Sequence, residues 1–357
     1  MRNRRRIGVR RVFFILIVVL TLLALGARIA GAPAPLIFGV AALAMALLAW
    51  LVGVATEELG AAAGPKVSGV LNASFGNIAE LIITIFALRA GLTTVVKASI
   101  TGSILGNMLL VLGLSLILAG MRHGELKFSR TMAATNASLL MIAVIGLAVP
   151  AVFARTAPPV GGGPIEHLSI GVAAILLLAY ALSLLFFFQT PKASGAELTK
   201  VDTEWSVQRS VIVLAVAAVG ITVVSDVLVD AIRPTLAATG MSELFAGIII
   251  IPIIGNIAEH VVGMQLAYQN DMDFSLVISL GSSLQIALFV GPLLVFLSLL
   301  VGNPMDLVFT PLELVTVGFG VLTVALVVSD GESNWLEGVE LVAVYAIVAL
   351  AFLFYPR

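Results

Sequence analysis

The residues equipped for chemistry come as a repeated pentapeptide. Gly76-Asn77-Ile78-Ala79-Glu80 recurs as Gly255-Asn256-Ile257-Ala258-Glu259, 179 residues further along a 357-residue chain. Each copy sets a carboxylate inside an otherwise apolar run. A charged side chain at the centre of a bilayer costs about 2.5–3.5 kcal/mol even on the lenient insertion scale. Two such residues at matching places therefore point to one shared cation site. Asn77 and Glu80 are three apart, as are Asn256 and Glu259, so each pair shares a helix face. Asn72, Gly76 and Glu80 make a second stripe at spacing four. Calcium takes about 6–8 oxygens, more than two carboxylates supply. The remainder is available from the side-chain carbonyls of Asn72, Asn77, Asn256 and Gln285, and from the hydroxyls of Ser103, Ser282 and Ser283. Water and backbone carbonyls near the helix-interrupting Gly69, Gly76 and Pro252 add to these. All are hard oxygen donors, which disfavours copper or thiolate-type zinc handling.

The elements that must hold these residues are membrane helices. Sixty per cent of the chain is hydrophobic and 11% is charged, far below the quarter usual in a soluble domain. Apolar runs longer than 18 residues recur from end to end. The reading is an all-α polytopic membrane protein of eleven spans, at about 12–30, 35–56, 68–89, 93–119, 131–152, 167–188, 208–230, 243–267, 274–300, 309–329 and 337–355. Turn residues separate them, among them Gly31-Ala-Pro33, Gly64-Pro65, Pro158-Pro159, Arg233-Pro234 and Gly302-Asn-Pro304. With the N-terminus inside, inner segments hold 13 Lys and Arg and outer segments hold 6, a bias that places the N-terminus in the cytoplasm. The basic start and the apolar run from Val12 to about Leu25 read as a retained signal anchor, with Ala30-Gly-Ala32 as the rival cleavage site. The polar stretch 189–207 reads as a cytoplasmic linker. It follows a first helix (1–33) and a first five-helix repeat (34–188), and precedes a second, inverted repeat (208–357).

The repeat is more than the pentapeptide. The same shift of 179 lays Gly102-Ser103 on Gly281-Ser282 and Leu105 on Leu284 without a gap. Five spans is an odd number, so the second half inserts upside down. That is the inverted repeat of many secondary transporters, whose site lies near the midplane between the halves. Small residues also serve helix packing, which explains Gly76, Ala79, Gly255 and Ala258 but not a glutamate. Either a divalent cation or protons must neutralise such a site, because the empty charged site is too costly to carry through the membrane. This is the competition an antiporter needs.

The segments 69–82, 96–107, Gly255-Asn-Ile-Ala-Glu-His260 and Gly281-Ser-Ser-Leu-Gln-Ile-Ala-Leu288 resemble the calcium/proton exchangers of the calcium:cation antiporter superfamily. The resemblance covers nearly the whole chain after span 1 and is densest in spans 3, 4, 8 and 9. It implies eleven spans with the first outside the repeats, and Glu80 and Glu259 as alternating carriers of calcium and protons. It implies support from Asn77, Asn256, Ser103, Ser282 and Gln285. The expected function is Ca2+/H+ exchange by alternating access, with exchange of Na+ for Ca2+ or transport of Mn2+ as the alternative. The long acidic stretch often found between the halves is not obvious here; only Glu197, Asp202 and Glu204 lie there.

The remaining polar residues receive plainer readings. Glu57 and Glu58 end span 2 as a solvated interfacial pair, with an ion entrance as the sharper alternative. Asp226 and Asp230 lie one turn apart, either in an outer vestibule or merely solvated. His260 points away from Glu259 and is read as packing rather than ligating. Glu313 reads as interfacial, and Trp50, Trp205 and Trp335 as interface anchors. Phe186-Phe-Phe188 reads as lipid-facing or core filling. The chain has no cysteine, and His123, His167 and His260 form no HExxH pair, so neither thiol chemistry nor a zincin site is available. Without a nucleophile–base pair the chain is not expected to be an enzyme, and no cofactor is expected. The expected partners are Ca2+ and H+ as transported ions and the lipid bilayer, with self-assembly into a homo-oligomer left open and no nucleic acid. The expected location is a prokaryotic cell (inner) membrane, with a vacuolar membrane as the alternative.

Overall fold

The computed structural model describes residues 2–63, 71, 75–157, 163–189 and 205–356, the side chains of 2–11, 63 and 188 excepted. These residues form eleven helices: α1 (Arg2–Ile29), α2 (Ala34–Ala63), α3 (Ile78–Arg89), α4 (Thr93–His123), α5 (Arg130–Thr156), α6 (Gly163–Gln189), α7 (Val207–Thr239), α8 (Glu243–Tyr268), α9 (Met272–Val301), α10 (Pro311–Val327) and α11 (Trp335–Leu353). Nine are long and apolar enough to cross a membrane; α10 has 17 residues and α3 has 12 in the described part. Helices are the expected choice, since in lipid every backbone amide must find its partner within the segment. The chain is thus an all-α polytopic membrane protein, with helix bounds consistent with eleven spans. Asn72, Gly69, Lys66, Gly64-Pro65, Pro158-Pro159, Glu197, Asp202 and Glu204 lie outside the described residues.

The apolar windows of α4 and α9 are 72% and 61% buried, against 11% for α1. The two helices that carry the Gly-Ser motifs therefore form the centre of the bundle, and α1 lies at its edge. There α1 packs on α2 and α7, which run along one another. α8 lies against α2, and α3 lies against α7.

The ends of the bundle are joined separately. At one end a two-residue strand β1 (Leu126–Lys127) pairs antiparallel with β2 (Glu332–Ser333). Lys127 donates to Glu332 at 3.0 Å, and the Ser129 amide donates to Asp273 at 2.7 Å. The Arg122 guanidinium stands 4.1 Å over the Tyr268 ring, and the Trp205 amide donates to Glu58 at 3.0 Å. At the other end Arg28 forks onto Asp226 and Asp230, both at 2.5 Å. Arg233 donates to the Gly91 carbonyl, Asn303 to the Leu88 carbonyl and Arg155 to the Phe309 carbonyl, while Lys97 pairs with Asp306. Connections after even-numbered helices meet one another, and so do those after odd-numbered helices, as successive membrane crossings require.

Several local expectations change. Arg233-Pro234 does not break a span. α7 continues through Pro234 to Thr239 and ends at Gly240 in the left-handed conformation, φ 74°, the usual glycine cap. Proline costs a helix one hydrogen bond, a loss membrane bundles absorb. Trp205 is not an interface anchor: it is 4% exposed, with Arg209 stacked 4.7 Å from its ring. Glu313 is buried inside the protein rather than interfacial. It closes a capping box with Thr310 at the start of α10 and accepts from Thr101 at 3.1 Å.

Candidate functional site

Glu80 stands in the first turn of α3, where the helix dipole favours an anion, with Asn77 at the N-cap. Glu259 stands within the continuous helix of α8. Asn256 stands one turn before Glu259 on the same helix. Glu80 is 2% exposed. Its Oε1 accepts from Ser103 of α4 and from Asn256 of α8. A residue from the second half of the chain thus donates to the carboxylate of the first. Ser282 of α9 donates to Glu259 Oε2 at 2.5 Å. The shift of 179 therefore carries Ser103–Glu80 onto Ser282–Glu259, hydrogen bond included.

Asn77 does not mirror Asn256. It donates to Gln285 Oε1 at 2.5 Å instead. Among the described residues, Glu80 Oε2 and Asn77 Oδ1 are buried and have no donor, and buried oxygens of this kind are the ligands hard cations take. Of the sequence-derived candidates, Glu80, Asn77, Asn256, Ser103, Ser282, Glu259 and Gln285 all fall on α3, α4, α8 and α9 around this centre. Ser283 is turned elsewhere, donating to the Ile104 carbonyl at 3.2 Å and the Ser279 carbonyl at 3.0 Å. Among the described residues no group of three or more His, Asp or Glu is clustered. A cation here would rely on amide, hydroxyl and backbone oxygens beside the two carboxylates.

Close backbone approach builds the centre. A Cβ on Gly255 would lie 2.8 Å from Glu80 Cγ, so the glutamate stem rests directly on the glycine. A Cβ on Gly102 would lie 2.1 Å from the Ile248 carbonyl oxygen. Pro252 has no N–H to return to that carbonyl, and residues 246–250 are wound as a π turn. Further π turns occupy 106–111 and 286–290, which the shift of 179 nearly superposes. Single π turns inside α-helices mark functional sites more often than chance. Periodicity does not reveal them, because they change winding without changing composition.

Glu259 and Ser282 border a cavity of about 80 Å³, with Thr56 and Glu57 of α2 among its other lining residues. Glu57 is exposed and lies toward the end of the bundle that holds β1 and β2. Its neighbour Glu58 is engaged by the Trp205 amide. The ring of His260 turns from Glu259 to Asn107, with Nε2 3.0 Å from Oδ1. Asn107 is buried as well, and among the described residues its Nδ2 has no acceptor. Asp226 and Asp230 hold Arg28.

The sequence pattern of the sodium/calcium exchanger protein family matches residues 33–189 and 209–354. The chain belongs to this family. Among relatives of this exchanger-family chain, the Ca2+/H+ antiporter of Aphanothece halophytica is 40% identical over 338 residues, covering 90% of each chain. The Ca2+/H+ antiporter ChaA of Bacillus subtilis is 40% identical over 349 residues, covering 96% of this chain and 99% of its own. The crystal structure of the Ca2+/H+ antiporter YfkE superposes with a TM-score of 0.83 at 38% identity, covering 97% of this chain and 100% of that one.

Proposed function

We propose that this chain exchanges Ca2+ for H+ across its membrane by alternating access, with Glu80 and Glu259 binding calcium or protons in competition. The carrying observation is the bond from Asn256 to Glu80, a contact across the two halves of the chain that joins both pentapeptides in one buried centre. The names of the antiporter relatives support the same reading. In it, Asn77, Asn256, Asn72, Ser103, Ser282 and Gln285 supply the neutral oxygens. The buried carboxylates are too costly to leave charged and unpaired, so one ion enters as the other leaves. No cofactor is needed, because both ions are cargo. The halves 34–188 and 208–357 then act as inverted repeats joined by the linker 189–207, with 1–33 outside them. The excess of Lys and Arg on the β1–β2 end favours that end, and the N-terminus, facing the cytoplasm. The bacterial relative favours a prokaryotic cell membrane.

Purified protein in lipid vesicles should take up calcium when a proton gradient is imposed. Glu80→Gln or Glu259→Gln should abolish uptake at unchanged expression, and flux that persists in both variants rejects the site. The family description also motivates a second reading, sodium/calcium exchange. Dependence of flux on sodium at constant pH would decide for it.

A further inference from the structure

Among the described residues, Thr56 and Thr235 are the buried threonines whose hydroxyls lack a hydrogen-bond partner, a state shared by Ser115, Ser210, Ser225 and Ser275. Thr84, Thr222, Thr239, Thr316 and Thr323 all return their hydroxyl to the carbonyl four residues back, the ordinary resting place of a helical threonine. Thr56 and Thr235 do not. They are 6% and 4% exposed, and neither hydroxyl has a hydrogen-bond partner. An unpaired buried hydroxyl is costly, so one that persists needs a reason.

Thr56 lines the cavity that borders Glu259 and Ser282. The exposed Glu57 lines the same cavity. Thr235 is 179 residues further on, the same shift that relates the pentapeptides. Thr56 precedes Glu80 by 24 residues, and Thr235 precedes Glu259 by 24. The two threonines sit on α2 and α7, which pack along one another, α2 against α8 and α7 against α3. Under the repeat relation, Thr235 stands to Glu80 as Thr56 stands to Glu259.

We infer that Thr56 and Thr235 are a matched pair of access-path oxygens, one for each face of the membrane, that ligate a divalent cation while it is bound at the nearer carboxylate and open to that face. A hydroxyl oxygen is a hard, neutral ligand suited to calcium. Free of the backbone, it replaces one hydration water without adding a charge that would trap the ion. The inference rests on the exchange reading, and its test separates the two.

Everted and right-side-out vesicles are prepared from expressing cells, their orientation checked with an N-terminal tag. The KM for calcium is measured in each. Thr56→Val should change the ratio of the two KM values about tenfold, the loss of one hydrogen-bond-strength contact to a charged partner. Thr235→Val should change it the opposite way, and Thr56→Ser and Thr235→Ser should restore it. Removing an unpaired buried hydroxyl does not endanger folding, so Tm should hold or rise. A ratio that stays put in both valine variants, that moves the same way in both, or that serine does not restore overturns the inference. Independently, calcium titration of detergent-purified protein is read by tryptophan fluorescence, since Trp50 lines the same cavity. Thr56→Val should weaken apparent binding about tenfold, with recovery in Thr56→Ser; an unchanged titration also overturns it. Wild type that binds calcium yet shows no proton-driven flux rejects Ca2+/H+ exchange and leaves the binding arm to judge the threonine.

Discussion

Replacing Gly255 by alanine isolates the contact on which the centre depends. The added methyl would stand 2.8 Å from Glu80 Cγ and 3.6 Å from its Cδ. Carbon atoms settle about 3.5–4.0 Å apart, so Cγ must retreat by roughly 1 Å. The retreat moves an oxygen held by both Ser103 and Asn256. A hydrogen bond to a charged group is worth about 1.5–3 kcal/mol. Losing one of the two lowers affinity by roughly tenfold to more than a hundredfold. Helix propensity works the other way, since alanine is favoured over glycine by about 0.8–1 kcal/mol. The variant should therefore express and remain folded while its KM for calcium rises by one to two orders of magnitude. Gly171→Ala is the control, because nothing lies within 4 Å of a Cβ there. The assay is initial-rate calcium uptake into vesicles across a calcium series, with Tm measured in parallel. A Gly255→Ala protein with wild-type KM and rate would refute the close approach of α8 to Glu80.

Other expectations follow from the same packing. Gly102→Ala would put a methyl 2.1 Å from the Ile248 oxygen and 2.5 Å from its Cα. Backbone cannot swing aside, so stability should fall by about 3 kcal/mol, read as a lower Tm in detergent; an unchanged Tm contradicts the α4–α8 crossing. Asn256→Ala should raise the calcium KM more than Asn77→Ala, because Asn256 donates to a carboxylate and Asn77 to an amide; equal effects or the reverse order count against the assigned bonds. Arg28→Ala breaks ion pairs whose side chains are 41–54% exposed, so it should cost no more than about 1 kcal/mol, less in high salt. A larger, salt-insensitive drop in Tm would mean the fork is shielded from solvent.

The membrane architecture was legible because lipid forces long apolar helices, and the expected spans fall within a few residues of most helix ends. The candidate centre was legible through one shift of 179, which aligned Glu80 with Glu259 and Ser103 with Ser282. That shift treats the halves as equal, and the structure does not. Asn256 reaches across to Glu80, whereas Asn77 turns to Gln285. The π turns were hidden because they leave hydropathy untouched. Pro234 misled because a proline in a polar loop and a proline late in a membrane helix look alike in sequence. Glu313 looked interfacial from its place near a span end, yet the capping box draws it into the protein.

The Arg28 fork ties α1 to α7, and among the described residues no second helix clasps α2 in the same way. In the proposed exchange cycle α1, a 28-residue helix, packs on α2 of one half and is pinned by Arg28 to α7 of the other. This one helix must then find its place among the lipids in both the inward-facing and the outward-facing form, and bilayer thickness becomes a variable of that cycle.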